Sequence, residues 1–269
     1  MRRMADAKQF ILPPITDESV LNEIDRLARR YINARGLAMD ILDKLGDGGE
    51  KLMSMIPSFL RGRIDRSVAA ALRRSFSAAS ASRRLVSGRG DWFNRLGTTA
   101  AGAVGGAAGI AGTLIELPVT VTILQRAILE IADEHGLDVD SDEIRAEALR
   151  IFATGGPLAE DDSTDTALLA TRMAISGATL QGLITKFAPQ IATRLITKAG
   201  AQVVPVLGAA AGASINYTFA RYYQELARVQ FGLMRMAKET GIPREALAER
   251  LQMRIRTLQQ GAAVARRAS

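Results

Sequence analysis

Glu116 is the residue of this chain whose surroundings most suggest chemistry. It is the only charged residue among the 30 from Leu96 to Gln125, and it precedes Pro118. A carboxylate in apolar surroundings pairs with a cation or stays protonated, because burying an isolated ion is costly. Arg126 is ten residues further on, about 15 Å along a helix. We expect Glu116 to bind backbone amides near a helix break or a distant arginine. The alternative is a ligand or proton site.

Other reactive chemistry is limited by composition. The chain has no cysteine and one histidine, His135, which excludes disulfides, thiolate sites and multi-histidine metal sites. His135 precedes Gly136, and this pair is typical of a helix C-terminus. The aspartates at 138, 140 and 142 resemble a calcium loop, but Glu143 and Leu149 replace the glycine and glutamate that such a loop needs. We expect no metal, no cofactor and no enzymatic activity.

The positive charge of the chain is concentrated in one segment. Residues 51–95 contain 10 basic and 2 acidic residues, a net charge of +8. Residues 1–50 have a net charge of −1, and residues 96–269 balance at 17 of each sign. A local positive field indicates a partner with an anionic surface. No stacking aromatics or nucleic-acid-binding motif accompany these arginines, so we expect anionic lipid and not nucleic acid.

The basic segment predicts an amphipathic helix from about Arg63 to Val86. At 100° per residue, the apolar residues of this segment fall on one side. The arginines that fall on the opposite side are Arg63, Arg66, Arg73, Arg74 and Arg84. Two interpretations stay open: an ordinary surface helix with a solvated basic face, or an interfacial helix attracted to anionic lipid.

Two long uncharged runs are the most unusual feature of the sequence. They span residues 96–115 and 199–220, close to the ~20 residues that cross a bilayer, but glycine, alanine and polar residues make them less apolar than typical spans. Glycines four apart let helix backbones approach closely. These candidate contact glycines are Gly102, Gly105, Gly106 and Gly109 in the first run, and Gly208 and Gly212 in the second. We expect two central helices packed together, or alternatively a pair that enters the membrane.

Helical periodicity extends over almost the whole chain, and alternating strand patterns are absent. We expect an all-α helical bundle with the two Gly/Ala-rich segments at its centre. The predicted organisation is a flexible N-terminus over 1–16, one domain over 17–260 and a basic tail over 261–269. Asp17 or Thr16 is predicted to cap a first helix over about 17–45, and Asp140 and Glu143 are predicted to form a capping box at the start of a later helix. Pro189 predicts a kink or break in a helix over about 179–197.

Three short motifs are similar to signatures of the EcsC family. They are Glu-Leu-Pro-Val-Thr at 116–120, Ile-Phe-Ala-Thr-Gly-Gly at 151–156, and the Val-Pro-Val-Leu-Gly run that leads to Asn216. The resemblance covers about residues 20–242. It implies a bacterial protein associated with ABC-type transport, in a family without an assigned activity, and it favours a place near the membrane.

These observations favour a non-enzymatic protein at the cytoplasmic face of the cell membrane. Its partner is expected to be anionic lipid or an integral membrane protein such as a transporter. The first alternative is a soluble carrier of an apolar ligand, whose polar head Glu116 or Asn216 would orient. The second alternative is an enzyme that uses Glu116 as acid or base, with little supporting machinery.

Overall fold

The computed structural model describes residues 15–45, 56–82, 109–154, 179–202 and 209–268. Within these ranges the chain forms seven α-helices and no strand, which confirms the predicted all-α domain. The helices are α1 (Glu18–Leu45), α2 (Ser58–Ser82), α3 (Gly109–Glu134), α4 (Asp142–Thr154), α5 (Leu180–Gln202), α6 (Ala209–Thr240) and α7 (Arg244–Ala268). The predicted basic tail from Gly261 to Ala268 continues α7.

Helices α3 and α6 contact each other, and each also contacts three further helices. α6 contacts α1, α3, α4 and α7, while α3 contacts α2, α4, α5 and α6. The two helices begin inside the uncharged runs, at Gly109 and Ala209. The central packing expected for the Gly/Ala-rich segments stays a prediction, because residues 96–108 and 203–208 lie outside the described residues.

The core between α1 and α6 follows the apolar spacing of both helices. Ile24 and Leu27 of α1 and Leu226 and Leu233 of α6 are buried, at the three- and four-residue intervals that place side chains on one helix face. Gly232 lies at the contact, and a Cβ atom built there would stand 3.1 Å from Leu27 Cδ2. A glycine is therefore what allows α1 and α6 to approach this closely.

Local hydrogen bonds determine where the helices begin. Asp17 accepts hydrogen bonds from the amides of Ser19 (2.8 Å) and Val20 (3.3 Å), so it caps α1 as its sequence position predicted. At α4 the capping box predicted from Asp140 and Glu143 is wrong. The cap is Ser141, whose Oγ accepts the Ile144 amide at 3.3 Å. The carboxylate of Asp140 instead accepts a hydrogen bond from Arg145 Nη2 at 2.8 Å.

Two helices continue through a proline. Pro118 lies inside α3, so the helix break expected near Glu116 is wrong. Pro189 lies inside α5, so of the two outcomes predicted there the break is wrong and the kink stays a prediction. In α5 the buried side chains Phe187 and Ile191 lie on either side of the proline. The free energy gained by burying these side chains offsets the cost of the backbone hydrogen bond that proline cannot donate.

Candidate functional site

One side of α2 is fixed in the bundle. Ile64, Val68, Leu72 and Phe76 are buried, as the amphipathic pattern predicted. They pack where α2 contacts α3 and α5. The helix begins at Ser58, five residues before the predicted start. Its core contacts hold α2 in one orientation and so determine which residues point to solvent.

The other side of α2 is a strip of arginines, here called the Arg face: Arg63, Arg66, Arg73 and Arg74. All four are exposed. At 100° per residue they span about 100° of the helix circumference. Arg66 Nε donates to the carbonyl oxygen of Gly62 at 3.0 Å. None of the four is in an ion pair with any residue that the structure describes. Arg84, the fifth predicted arginine, lies outside the described residues.

The polar residues predicted for the uncharged runs are placed only by their backbone. Glu116 lies in α3 and Asn216 in α6, and the structure describes neither side chain. Of the contact glycines, Gly109 begins α3 and Gly212 lies in α6. Gly102, Gly105, Gly106 and Gly208 lie outside the described residues. The close helix contact expected of these glycines therefore stays a prediction. Among the described helices none has the length and apolar character of a membrane span.

His135 has the structural role that its sequence position predicted. Gly136, with φ of 69°, donates to the carbonyl oxygen of Asp133, and Leu137 donates to that of Ala132. This pair of bonds is the Schellman arrangement that closes a helix C-terminus. His135 Nδ1 lies 2.7 Å from the carbonyl oxygen of Ile131, and burial lowers the pKa of the imidazole.

The helical pattern did not predict the ion cluster, here defined as Glu147, Arg150, Gln230 and Arg244. Arg150 Nε donates to Glu147 Oε2 at 3.1 Å, and Arg244 Nη2 donates to Glu147 Oε1 at 2.5 Å. Arg244 Nη2 also lies 3.0 Å from Gln230 Oε1. The ion cluster joins α4, α6 and α7. Burial alone would raise the pKa of Glu147, but Arg150 and Arg244 outweigh it and hold that pKa below its ordinary value.

A signal for this ion cluster was present in the α4 sequence. Ile144, Ala148 and Ile151 are buried, and Glu147 stands at the position of that stripe where an apolar residue is expected. A charged residue on a core-facing stripe predicts a buried partner of opposite charge. Arg150 was the local candidate, whereas Arg244, 97 residues away from Glu147, was not visible in the pattern.

A second polar side chain is buried, and no described residue forms a hydrogen bond with its amide. Gln125 of α3 is 0% exposed, and neither its Oε1 nor its Nε2 has a hydrogen-bond partner in the described part of the structure. A buried primary amide without a partner costs about 1–3 kcal/mol. Gln125 is therefore a place where a water molecule or the polar group of a ligand would gain two hydrogen bonds.

The family comparison decides the relationship that the three motifs suggested. The model of the EcsC protein family matches residues 88–235, more than half of the chain. The chain belongs to the EcsC family. The match is shorter than the region of resemblance over about 20–242, and it contains all three motifs. No curated protein and no solved structure matched the chain.

The EcsC match separates the structural features into two groups. Gln125, Glu147 and Gln230 lie inside residues 88–235, together with helix α3. The Arg face of α2 lies before this range, and Arg244 lies after it. Membership of the EcsC family identifies the evolutionary relationship, and the function has to be argued from the surfaces of this chain.

Proposed function

We propose that this EcsC family protein binds anionic membrane surfaces through the Arg face of α2. The supporting observation is a row of four exposed arginines on a helix whose opposite side is buried in the core. Because no described carboxylate pairs with them, their charge is available to an external anionic partner. The segment of residues 51–95, which includes α2, has a net charge of +8.

The expected strength follows from the number of arginines. Each basic residue near an anionic lipid surface contributes about 1 kcal/mol. Four residues then contribute roughly 4 kcal/mol, which corresponds to about a thousandfold in the partition coefficient. This attraction falls as salt screens it, since the Debye length is about 8 Å at physiological ionic strength.

The position of the apolar side determines the kind of binding. Ile64, Val68 and Leu72 are buried between α2 and its neighbours, so they are not available for insertion into lipid. An amphipathic helix that inserts must place its apolar side among acyl chains. We therefore propose peripheral adsorption of the folded domain at the cytoplasmic face of the cell membrane. At that face, α2 contacts either anionic lipid or an integral membrane protein.

Vesicle flotation tests the proposal. The protein is mixed with vesicles of phosphatidylcholine alone or with added phosphatidylserine, at low and high salt. We expect flotation only with phosphatidylserine at low salt, and a loss of roughly a hundredfold or more when the Arg face is changed to glutamine (R63Q/R66Q/R73Q/R74Q). Unchanged binding of this variant would contradict the proposal.

A matched control removes the same charge elsewhere. Arg221, Lys238, Arg250 and Arg256 are exposed on α6 and α7, and their joint replacement by glutamine lowers the net charge by the same four units. We expect this variant to bind phosphatidylserine vesicles within a few fold of the unchanged protein. An equal loss in both variants would mean that only the total charge matters.

A soluble carrier of an apolar ligand is the second candidate, and the unpartnered amide of Gln125 favours it. This amide is fully buried, and the polar head of a lipid-like ligand would satisfy its hydrogen-bonding groups. Mass spectrometry of the intact protein under native conditions tests this. Bound lipid that disappears in Gln125→Leu would support the carrier, and a ligand-free protein that floats with anionic vesicles would exclude it in favour of the first proposal.

A further inference from the structure

The Arg face contains two pairs of arginines with different geometry. Arg63 and Arg66 are three residues apart, which makes them neighbours on the surface of α2. Arg73 and Arg74 are consecutive, and consecutive residues of a helix point about 100° apart. The side chains of the first pair can therefore reach one small group together, whereas those of the second pair diverge.

A hydrogen bond to the backbone orients one member of the first pair. Arg66 Nε donates to the carbonyl oxygen of Gly62 at 3.0 Å, so its side chain lies back along α2 towards the turn that contains Arg63. A guanidinium has five N–H donors, and this bond uses only the one on Nε. The donors on both Nη atoms of Arg66 are therefore held on the side of α2 that Arg63 shares.

The surface beside this pair is open to solvent. Gly62, Arg63 and Arg66 are all exposed. A Cβ atom built at Gly62 would meet no described atom within 4 Å, so the turn next to the two arginines is not crowded. An external group of several atoms can therefore reach both guanidinium groups without any cavity in the core.

The acidic residue between the two arginines does not compensate their charge. Asp65 is two residues from Arg63 and one from Arg66, and side chains at these spacings do not face each other on a helix. Burial raises the pKa of Asp65 above its ordinary value, and no described arginine acts in the opposite direction. Neither Arg63 nor Arg66 forms an ion pair with a described carboxylate. Two like charges at neighbouring positions of a helix repel each other, and an anionic ligand between them would remove this repulsion.

We propose that Arg63 and Arg66 together bind the phosphomonoester headgroup of a lipid such as phosphatidic acid. A phosphomonoester has a charge of about −1.5 to −2 at neutral pH and three acceptor oxygens, which suit two guanidinium groups. The phosphate of phosphatidylserine is a diester, which has a smaller charge and fewer free oxygens. This inference rests on the proposed membrane binding through the Arg face, and it names the lipid that the Arg face selects.

Arg73 and Arg74 have a different role in this arrangement. They add to the attraction of the Arg face for any anionic surface. They do not select a headgroup, because their side chains point in different directions. Lysine keeps the positive charge of arginine but lacks its planar fork of donors. Replacement of either pair by lysine therefore separates headgroup selection from general attraction.

Flotation of the full chain with two kinds of vesicle tests the site. Both are made of phosphatidylcholine; one contains phosphatidylserine, and the other contains phosphatidic acid at half that mole fraction, so that their surface charges are about equal. We expect the partition coefficient to be roughly tenfold higher on phosphatidic acid, the ratio expected for one additional hydrogen bond to a charged group. Equal partition coefficients on the two kinds of vesicle would overturn the proposal and leave the proposed membrane binding intact.

Two variants that keep the net charge locate the selectivity. R63K/R66K is expected to bind both kinds of vesicle about equally, because lysine cannot reproduce the paired forks. R73K/R74K is the comparison, and its ratio of partition coefficients is expected to stay at roughly tenfold. A preference that survives in R63K/R66K, or that is lost equally in both variants, would overturn the proposal. Absence of flotation with either lipid would contradict the proposed membrane binding itself, and the headgroup site with it, so the two failures are distinguishable.

Discussion

The ion cluster offers the sharpest test of how this bundle is held together. In Glu147→Gln the side chain keeps its size and loses its charge, so Arg150 and Arg244 lose their shared carboxylate. The side chains are 4% exposed for Arg150 and 14% for Arg244, which leaves little water to solvate the uncompensated charges. Removing one partner of a buried ion pair costs about 3–5 kcal/mol.

This cost is large compared with the stability of a typical domain, about 5–15 kcal/mol. For a chain of this size we expect the melting temperature to fall by roughly 10 °C, at 2–4 °C for each kcal/mol. Urea unfolding at pH 7, followed by far-ultraviolet circular dichroism, measures the change in the free energy of unfolding. Glu249→Gln is the control, because Glu249 is exposed on α7, and we expect its effect to stay within about 0.5 kcal/mol.

The dependence on pH provides an independent check. The pKa of Glu147 is lowered in the folded protein from an ordinary value of 4.5. The contribution of ionised Glu147 to the free energy of unfolding is therefore complete above the pKa that this group has in the unfolded protein. It is lost as the pH falls through the lower pKa that the group has in the folded protein. We expect the difference in the free energy of unfolding between the unchanged protein and Glu147→Gln to become smaller below about pH 4.5. A difference in the free energy of unfolding under about 1 kcal/mol at pH 7 would refute the argument that Glu147 compensates the charges of Arg150 and Arg244.

Further predictions concern the buried Gln125 and the glycines of α1 and α6. Gln125→Leu is expected to raise the free energy of unfolding of ligand-free protein by about 1–3 kcal/mol, because it removes a buried amide without a described partner; a loss of stability in urea unfolding would contradict this. Gly36→Ala is expected to stabilise α1 by about 0.5–1 kcal/mol, since its added Cβ meets nothing within 4 Å. Gly232→Ala should be less stable than Gly36→Ala by about 1 kcal/mol or more, because its Cβ would crowd Leu27. Equal melting temperatures of the two glycine variants would show that α1 and α6 are not in close contact.

Much of the secondary structure was predictable because its causes are local. The cap at Asp17, the helix end at Gly136 and the stripe of α2 all depend on residues within one or two turns of each other. The error at the start of α4 is also local. Asp140 and Ser141 are both good cap residues, but Asp140 binds Arg145 whereas Ser141 binds the amide of Ile144.

The sites depend on contacts between distant parts of the chain. Glu147 and Arg244 are 97 residues apart, and Ala153 and Arg194 are 41 apart, so their pairing depends on how α4 packs against α5 and α7. The helix α5 does not break at Pro189, because the buried neighbours Phe187 and Ile191 offset the local cost of proline. A periodic pattern identifies the buried side of each helix and does not identify what it is buried against.

The sequence by itself determined the all-α class, the EcsC resemblance, the exposed Arg face and the ends of several helices. These follow from composition, short motifs and spacing within a few turns, where the relevant forces act between near neighbours. Only the tertiary structure decided which polar residues are buried together. The ion cluster combines the charges of Glu147 and Arg150 from α4 and of Arg244 from α7 with the neutral amide of Gln230 from α6. Such charges become neighbours only when hydrophobic packing brings the helices together.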